Sequence, residues 1–300
     1  MNFLALLLGL AVERLLTNLF HWREFHWLDP LFDWGFRRAG KASKLVAIGG
    51  CLALLIVILL PVALVFVGLQ DRLAHIPLFG FSVFVLLFCL GPRDLGEEVH
   101  DYREAITHND MGELHVLAAE LLEHTPETGE VPDIERAIYA QANNRIFGVV
   151  FWFAVLGPVG AWLFRVLDLM RRRAVHYYID VSGDQFATQS LQSSPIVIVA
   201  LKLHQLFAWV PSRLLMIAYA LAGNYEGAMF AWRNPPAVSA VLFPGKDEQL
   251  LGAIGCGAAP DSAEHDVSAR AQVAIDLVIR TLWMIWCPVL ALLTIYGAIN

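Results

Sequence analysis

Glu97, Asp101, Glu104 and His108 fall at i, i+4, i+7 and i+11, which places them on one face of a helix. Carboxylates and an imidazole at that spacing can hold a hard divalent cation, and with it a phosphorylated ligand. The same spacing also describes the solvated face of an amphipathic helix. A second group, Gln141, Asn143, Asn144 and Arg145, stands where a polar stretch enters an apolar one. Amides and a guanidinium there suit recognition of a phosphate, carboxylate or amide, and equally suit anchoring at a membrane surface. Arg165 and Asp168, at i and i+3, form either an internal ion pair or a ligand-binding pair. Lys202, His204 and Arg213 lie inside another apolar run, where a charge is costly unless it faces a polar cavity or reaches the interface.

The elements that must position these groups are membrane helices. Leu277–Ile299 is interrupted only by Arg280, and 45–69 carries no charge at all. Each is long enough to cross a hydrocarbon core of about 30 Å. Further apolar segments fall near 1–20, 77–92, 146–167 and 196–222. The apolar fraction is 57% and the charged fraction 16%, against about 45–50% and about 25% in soluble domains. A net charge of −7 with no basic stripe excludes nucleic acid as a partner. The apolar start lacks a basic leader and runs directly into Glu13-Arg14, so it reads as a retained first membrane helix.

Two stretches break the pattern. Leu156-Gly157-Pro158-Val159-Gly160 predicts a kink or turn at the centre of 146–167. Pro211 interrupts 196–222, so an amphipathic or broken helix is as consistent there as a straight span. Arg37, Arg38, Lys41 and Lys44 place the first loop in the cytoplasm, and hence 93–145 as well if the next two segments span. A full span at 146–167 would then put Arg171-Arg172-Arg173 outside. A re-entrant hairpin would keep those arginines on the side of Arg145. The fold class expected is all-α, a polytopic membrane protein with four to six membrane elements and an amphipathic helical cytoplasmic subdomain.

That subdomain is 93–145, where Leu95, Val99, Tyr102 and Ile106, then Leu114, Leu117 and Leu121, recur at helical spacing about a turn at His108-Asn109-Asp110. The polar region 223–276 is poorly patterned, with a helix expected only from about Glu264. The whole of 1–300 reads as one membrane domain. No nucleotide loop, GxSxG, HExxH or Ser-x-x-Lys signature occurs. The four cysteines are widely spaced and imply neither zinc nor a disulfide framework. Two related halves with paired broken helices, as a transporter would show, are not visible.

Several stretches resemble the AmpE family of bacterial inner-membrane proteins, encoded beside the amidase AmpD. These are Ala291 to Ala298 (ALLTIYGA), Trp209 to Leu214 (WVPSRL), Asn144 to Phe147 with Phe151-Trp152-Phe153, and the start ending in Glu13-Arg14-Leu15. The similarity covers nearly the whole chain and is weakest at 225–276. It implies a multi-pass inner-membrane protein with a regulatory role in β-lactamase induction and cell-wall recycling.

AmpE proteins in turn resemble the membrane synthases of adenosylcobinamide phosphate, which join an aminopropanol phosphate to a corrinoid carboxylate. Asn109-Asp110 and Leu156 to Ala161 (LGPVGA), followed by Arg165, match that pattern. His124-Thr125-Pro126 stands where Arg-Asp-Thr is expected, and Tyr139 to Asn143 (YAQAN) keeps the Asn of Glu-Ser-x-Ala-Glu-Asn but loses both acids. That erosion implies a non-catalytic relative needing no cofactor; the alternative is an amide-forming synthase with Mg²⁺. The resemblance implies that Asn143, Asn144, Arg145, Arg165, Asp168 and Arg213 contact a small metabolite, a muropeptide or a phosphorylated amine. The expected partners are that metabolite, the lipid bilayer and a second copy of the chain in a homodimer.

Overall fold

The computed structural model describes residues 25–39, 44–70, 75–90, 95–123, 133–182, 194–235, 245–260 and 267–295. The expected first membrane helix, the His124-Thr125-Pro126 motif and the last five residues lie outside them. Among the described residues every regular element is helical and no strand occurs. The helices are α1 (Asp29–Ala39), α2 (Lys44–Gln70), α3 (His75–Cys89), α4 (Leu95–His108), α5 (Met111–Leu122) and α6 (Ile134–Ala142). They continue with α7 (Gly148–Ser182), α8 (Pro195–Ala222), α9 (Tyr225–Arg233), α10 (Lys246–Ala258), α11 (Val267–Thr281) and α12 (Cys287–Ile295). A π-helical turn, Asn143–Phe147, joins α6 to α7, and a second, Leu282–Trp286, joins α11 to α12.

Four helices are long and apolar enough to cross a membrane: Lys44–Leu69, Ile134–Tyr177, Pro195–Ala222 and Val267–Leu293. The protein is therefore an all-α polytopic membrane protein. At 15 residues, α3 is about 22 Å long and falls short of a straight span. Leu52, Ile56, Leu60 and Leu64 form an exposed stripe at i+4 spacing along α2, as a lipid-facing helix requires.

The chain divides into two compact units, one of 1–92, 144–208 and 290–300, the other of 93–143 and 209–289. In the first, α7 is broken at Gly157, whose backbone (φ 68°, ψ −155°) only glycine adopts readily. A Cβ on Gly160 would overlap the carbonyl oxygen of Trp152, eight residues back. A straight helix keeps such residues about 12 Å apart. The chain thus turns sharply at the Gly-Pro-Val-Gly run, and 146–167 is not one straight segment.

Two indoles of this unit donate to helix carbonyls at or beside those that a proline leaves without a donor. Pro211 has no amide hydrogen to donate to the Phe207 carbonyl, and the Trp152 indole donates to that oxygen at 3.0 Å. The Trp162 indole donates at 3.1 Å to the Ile58 carbonyl, adjacent to Val57, whose helical donor Pro61 removes. Trp162 also packs with Phe25 and Phe88 in an aromatic cluster, all three centroid separations lying between 4.7 and 5.8 Å. Asp33 of α1 accepts two hydrogen bonds from Arg173 of α7, at 2.8 and 2.6 Å.

In the second unit α4 and α5 form the expected hairpin. Asn109 takes a left-handed conformation (φ 56°), and the Asp110 side chain caps α5 by accepting from Gly112 and Glu113 amides at 3.0 and 3.1 Å. Leu95, Val99, Tyr102, Leu117 and Leu121 are buried, as their spacing predicts.

The region 223–276 is more ordered than its sequence suggests, because it holds α9 and α10 as well as the start of α11. These short helices meet through backbone rather than through large side chains. A Cβ on Gly227 would overlap the Gly257 carbonyl, and one on Gly257 would overlap the Gly227 carbonyl. Glycine contacts leave no apolar periodicity in the sequence, which is why the expectation of a helix only from Glu264 fell short.

Candidate functional site: a buried arginine cluster

Beyond the Gly157 break, α7 carries Arg165, Asp168, Arg171 and Arg172 at i, i+3, i+6 and i+7, so all four share one face. Three guanidiniums converge on one carboxylate. Arg165 Nη1 lies 3.2 Å from Asp168 Oδ2, Arg171 Nη2 lies 2.8 Å from Oδ1, and Arg172 Nε lies 3.0 Å from Oδ2. His204 of α8 brings Nε2 to 3.8 Å from Oδ1. The Asp168 side chain is fully buried, those of Arg165, Arg171 and His204 are at most 3% exposed, and Arg172 at 23% forms the edge.

Burying an ion costs several kcal/mol unless partners replace its water. One carboxylate balances one guanidinium, so Arg165, Arg171, Arg172 and Asp168 together carry a formal charge of +2. Arg145, buried in the π-turn, lies close enough to act electrostatically on Arg165. Among the described residues Nε of Arg165 has no hydrogen-bond partner, although the guanidinium sits 5.4 Å from the Phe25 ring. Guanidiniums gathered at one locus are the donors that anions pair with in proteins.

Of the residues expected at the site, Arg165, Asp168 and Arg145 lie in this setting. Asn144 is buried beside Arg145 in the π-turn, which opens with the equally buried Asn143. Arg213 belongs to the other unit, where it pairs with Asp247 at 2.6 Å. Arg171, Arg172 and His204 were not foreseen as members. Their signal was present in the spacing, because Arg171 and Arg172 extend the Arg165–Asp168 face by one turn.

Glu97, Asp101, Glu104 and His108 lie along the outward face of α4. Glu104 and His108 approach to 3.6 Å, both largely exposed. Among the described residues, no group of three or more His, Cys, Asp or Glu side chains gathers closely enough to hold a metal. The physical reason is the i, i+4, i+7, i+11 spacing, which strings the four over about 16 Å of helix.

The family model described as regulatory signalling modulator protein AmpE matches residues 1–300. The chain is 27% identical over 308 residues to Protein AmpE of Shigella flexneri, covering 100% of both chains. It is 26% identical over 181 residues to cobalamin biosynthesis protein CobD of Stutzerimonas stutzeri, covering 59% of this chain and 54% of that one. With the CobD of Chromobacterium violaceum it shares 24% identity over 258 residues, 76% of each chain. No solved structure matches. A family match spanning every residue, on a polytopic helical scaffold, makes this chain a member of the AmpE family of regulatory signalling modulators.

Proposed function

We propose that this protein is an inner-membrane signalling component that binds a small anionic metabolite at the arginine cluster of α7. Its output is regulation of β-lactamase induction in step with muropeptide recycling. The single observation that carries the reading is the convergence of Arg165, Arg171 and Arg172 on one buried carboxylate. Three guanidiniums at one locus supply the fork-shaped donors that recognise an anion. A ligand binding only the neutralised arrangement shifts the protein towards it by mass action, which is what a sensor requires. The cytoplasmic placement of α4 and α5, which requires both α2 and α3 to cross the membrane, belongs to the same proposal.

The test is β-lactamase induction in a strain lacking the native gene, complemented with wild type, Arg165→Gln or Arg172→Gln at matched membrane levels. Loss of the induction response in both variants supports the reading; induction indistinguishable from wild type sinks it.

A second reading is favoured by the similarity to two CobD proteins, which are named for cobalamin biosynthesis. Here the chain is an amide-forming synthase, and the cluster holds the phosphate of an aminopropanol phosphate with Mg²⁺. Product formation from the purified protein with a corrinoid carboxylate, aminopropanol phosphate and Mg²⁺ would establish this reading in place of the first.

A further inference from the structure

We infer that the outer face of α1 is a binding surface for the headgroups of anionic phospholipids. It lies on a different helix from the arginine cluster of α7, and either can exist without the other.

The two sides of α1 differ in kind. Leu28, Phe32 and Phe36 are buried, whereas Trp34, Arg37 and Arg38 are exposed. The last three stand at i, i+3 and i+4, so they share a face. Trp34 is 50% exposed, and Trp27, in the short turn before the helix, is 60% exposed. Indoles and arginines side by side are what a helix presents where headgroups meet acyl chains. Arg38 lies 4.5 Å over the Trp34 ring, which sets its guanidinium beside the indole. Arg37 donates to the Asp33 backbone carbonyl at 3.3 Å, while the Asp33 carboxylate is held by Arg173. Among the described residues neither Arg37 nor Arg38 has a salt-bridge partner.

The level of α1 along α2 fits such a surface. The 27 residues of α2 span about 40 Å, which reaches from headgroup to headgroup and leaves Lys44 among the headgroups. A Cβ on Gly35 would overlap the Leu54 side chain, so α1 touches α2 ten residues, or about 15 Å, inward of Lys44. Gly35 therefore lies within about 10 Å of the hydrocarbon edge, the depth at which amphipathic helices bed into a bilayer. Arg37 and Arg38 follow it towards Lys44, and their long stems let the charged heads reach the phosphates. The exposed apolar side chains Leu52 and Ile56 continue the lipid contact along α2.

Charge selects the lipid. Each basic residue near an anionic leaflet strengthens the attraction about fivefold, and a zwitterionic headgroup offers no net charge to match it.

The test places a photo-cross-linker on this face, with Trp27→p-benzoylphenylalanine in the full-length protein. The protein is put in nanodiscs of equal phosphatidylglycerol and phosphatidylcholine, and mass spectrometry identifies the adducts. The expected result is phosphatidylglycerol adducts in about fivefold excess or more. Combining Arg37→Gln with Arg38→Gln brings the ratio close to one; both side chains are exposed, and an unchanged Tm shows that the variant is folded. Combining Arg233→Gln with Lys246→Gln, which removes the same charge elsewhere, leaves the excess intact. A ratio near one in the wild-type background, or an equal fall in both charge variants, would overturn the headgroup assignment. Cross-linking to a second copy of the chain with no lipid adduct would overturn the lipid surface itself.

Discussion

The indole of Trp152 donates at 3.0 Å to the carbonyl of Phe207, the oxygen that Pro211 leaves without its helical partner. In a bilayer no water is available to take over that role, so a side chain from the other helix must. This bond ties the segment before the Gly157 break to α8, which also supplies His204 to the arginine cluster.

Trp152→Phe keeps most of the ring and removes the donor, and should cost about 1–2 kcal/mol. Pro211→Ala returns a backbone N–H to Phe207, so the same Trp152→Phe change should cost clearly less in that background. Equilibrium unfolding in mixed micelles of the wild type, both single variants and the double variant measures the difference. Equal costs in the two backgrounds would show that the bond does not compensate the proline.

The break in α7 depends on two glycines for different reasons. Gly157→Ala imposes a Cβ on a backbone that only glycine adopts easily, at a cost of about 1–3 kcal/mol. Gly160→Ala instead drives a methyl into the Trp152 carbonyl and must open the turn to be accommodated. Both should lower Tm, and Gly160→Val, with two further methyl groups at the same point, should lower it more than Gly160→Ala. A Tm unchanged in Gly160→Ala would contradict the close approach.

Much of this was legible in the sequence. The α4–α5 hairpin followed from apolar spacing and an Asn-Asp turn, and the α7 break from Gly-Pro-Val-Gly. The arginine cluster was only half legible. Arg165 and Asp168 announced a pair, but Arg171-Arg172-Arg173 reads as a charge block for orientation until the helix phase separates its members. Two turn inward to Asp168, and the third reaches Asp33 on a different helix, 140 residues away in sequence. The α9–α10 packing left no pattern at all, since glycine–carbonyl contact has no periodicity to read.

The two aspartates that pair with arginines of α7, Asp168 on α7 itself and Asp33 on α1, should respond very differently to neutralisation. Asp168→Asn removes the buried carboxylate that Arg165 and Arg171 share and should destabilise by about 3–5 kcal/mol. Asp33→Asn removes a part-exposed pair with Arg173 and should cost no more than about 1 kcal/mol. A similar loss in both would show that the Asp168 cluster is hydrated rather than dry.

Acid should release the Asp33–Arg173 clasp before it unfolds the helices. The paired hydrogen bonds from Arg173 hold the Asp33 carboxyl below the usual carboxylate range. Its contribution is therefore complete above the unfolded-state value near pH 4 and is lost as pH falls through the lower folded value. The stability gap between wild type and Asp33→Asn should be constant from pH 7 to pH 5 and close below about pH 4. A gap that closes between pH 7 and pH 5 would refute the assignment.

The measurement that reaches the central claim most directly is an anomalous-difference map of the crystallised protein soaked with tungstate, a heavy tetrahedral dianion. The account predicts a peak within hydrogen-bonding reach of Arg165, Arg171 or Arg172. Tungstate bound elsewhere, with no peak at the cluster, would contradict it.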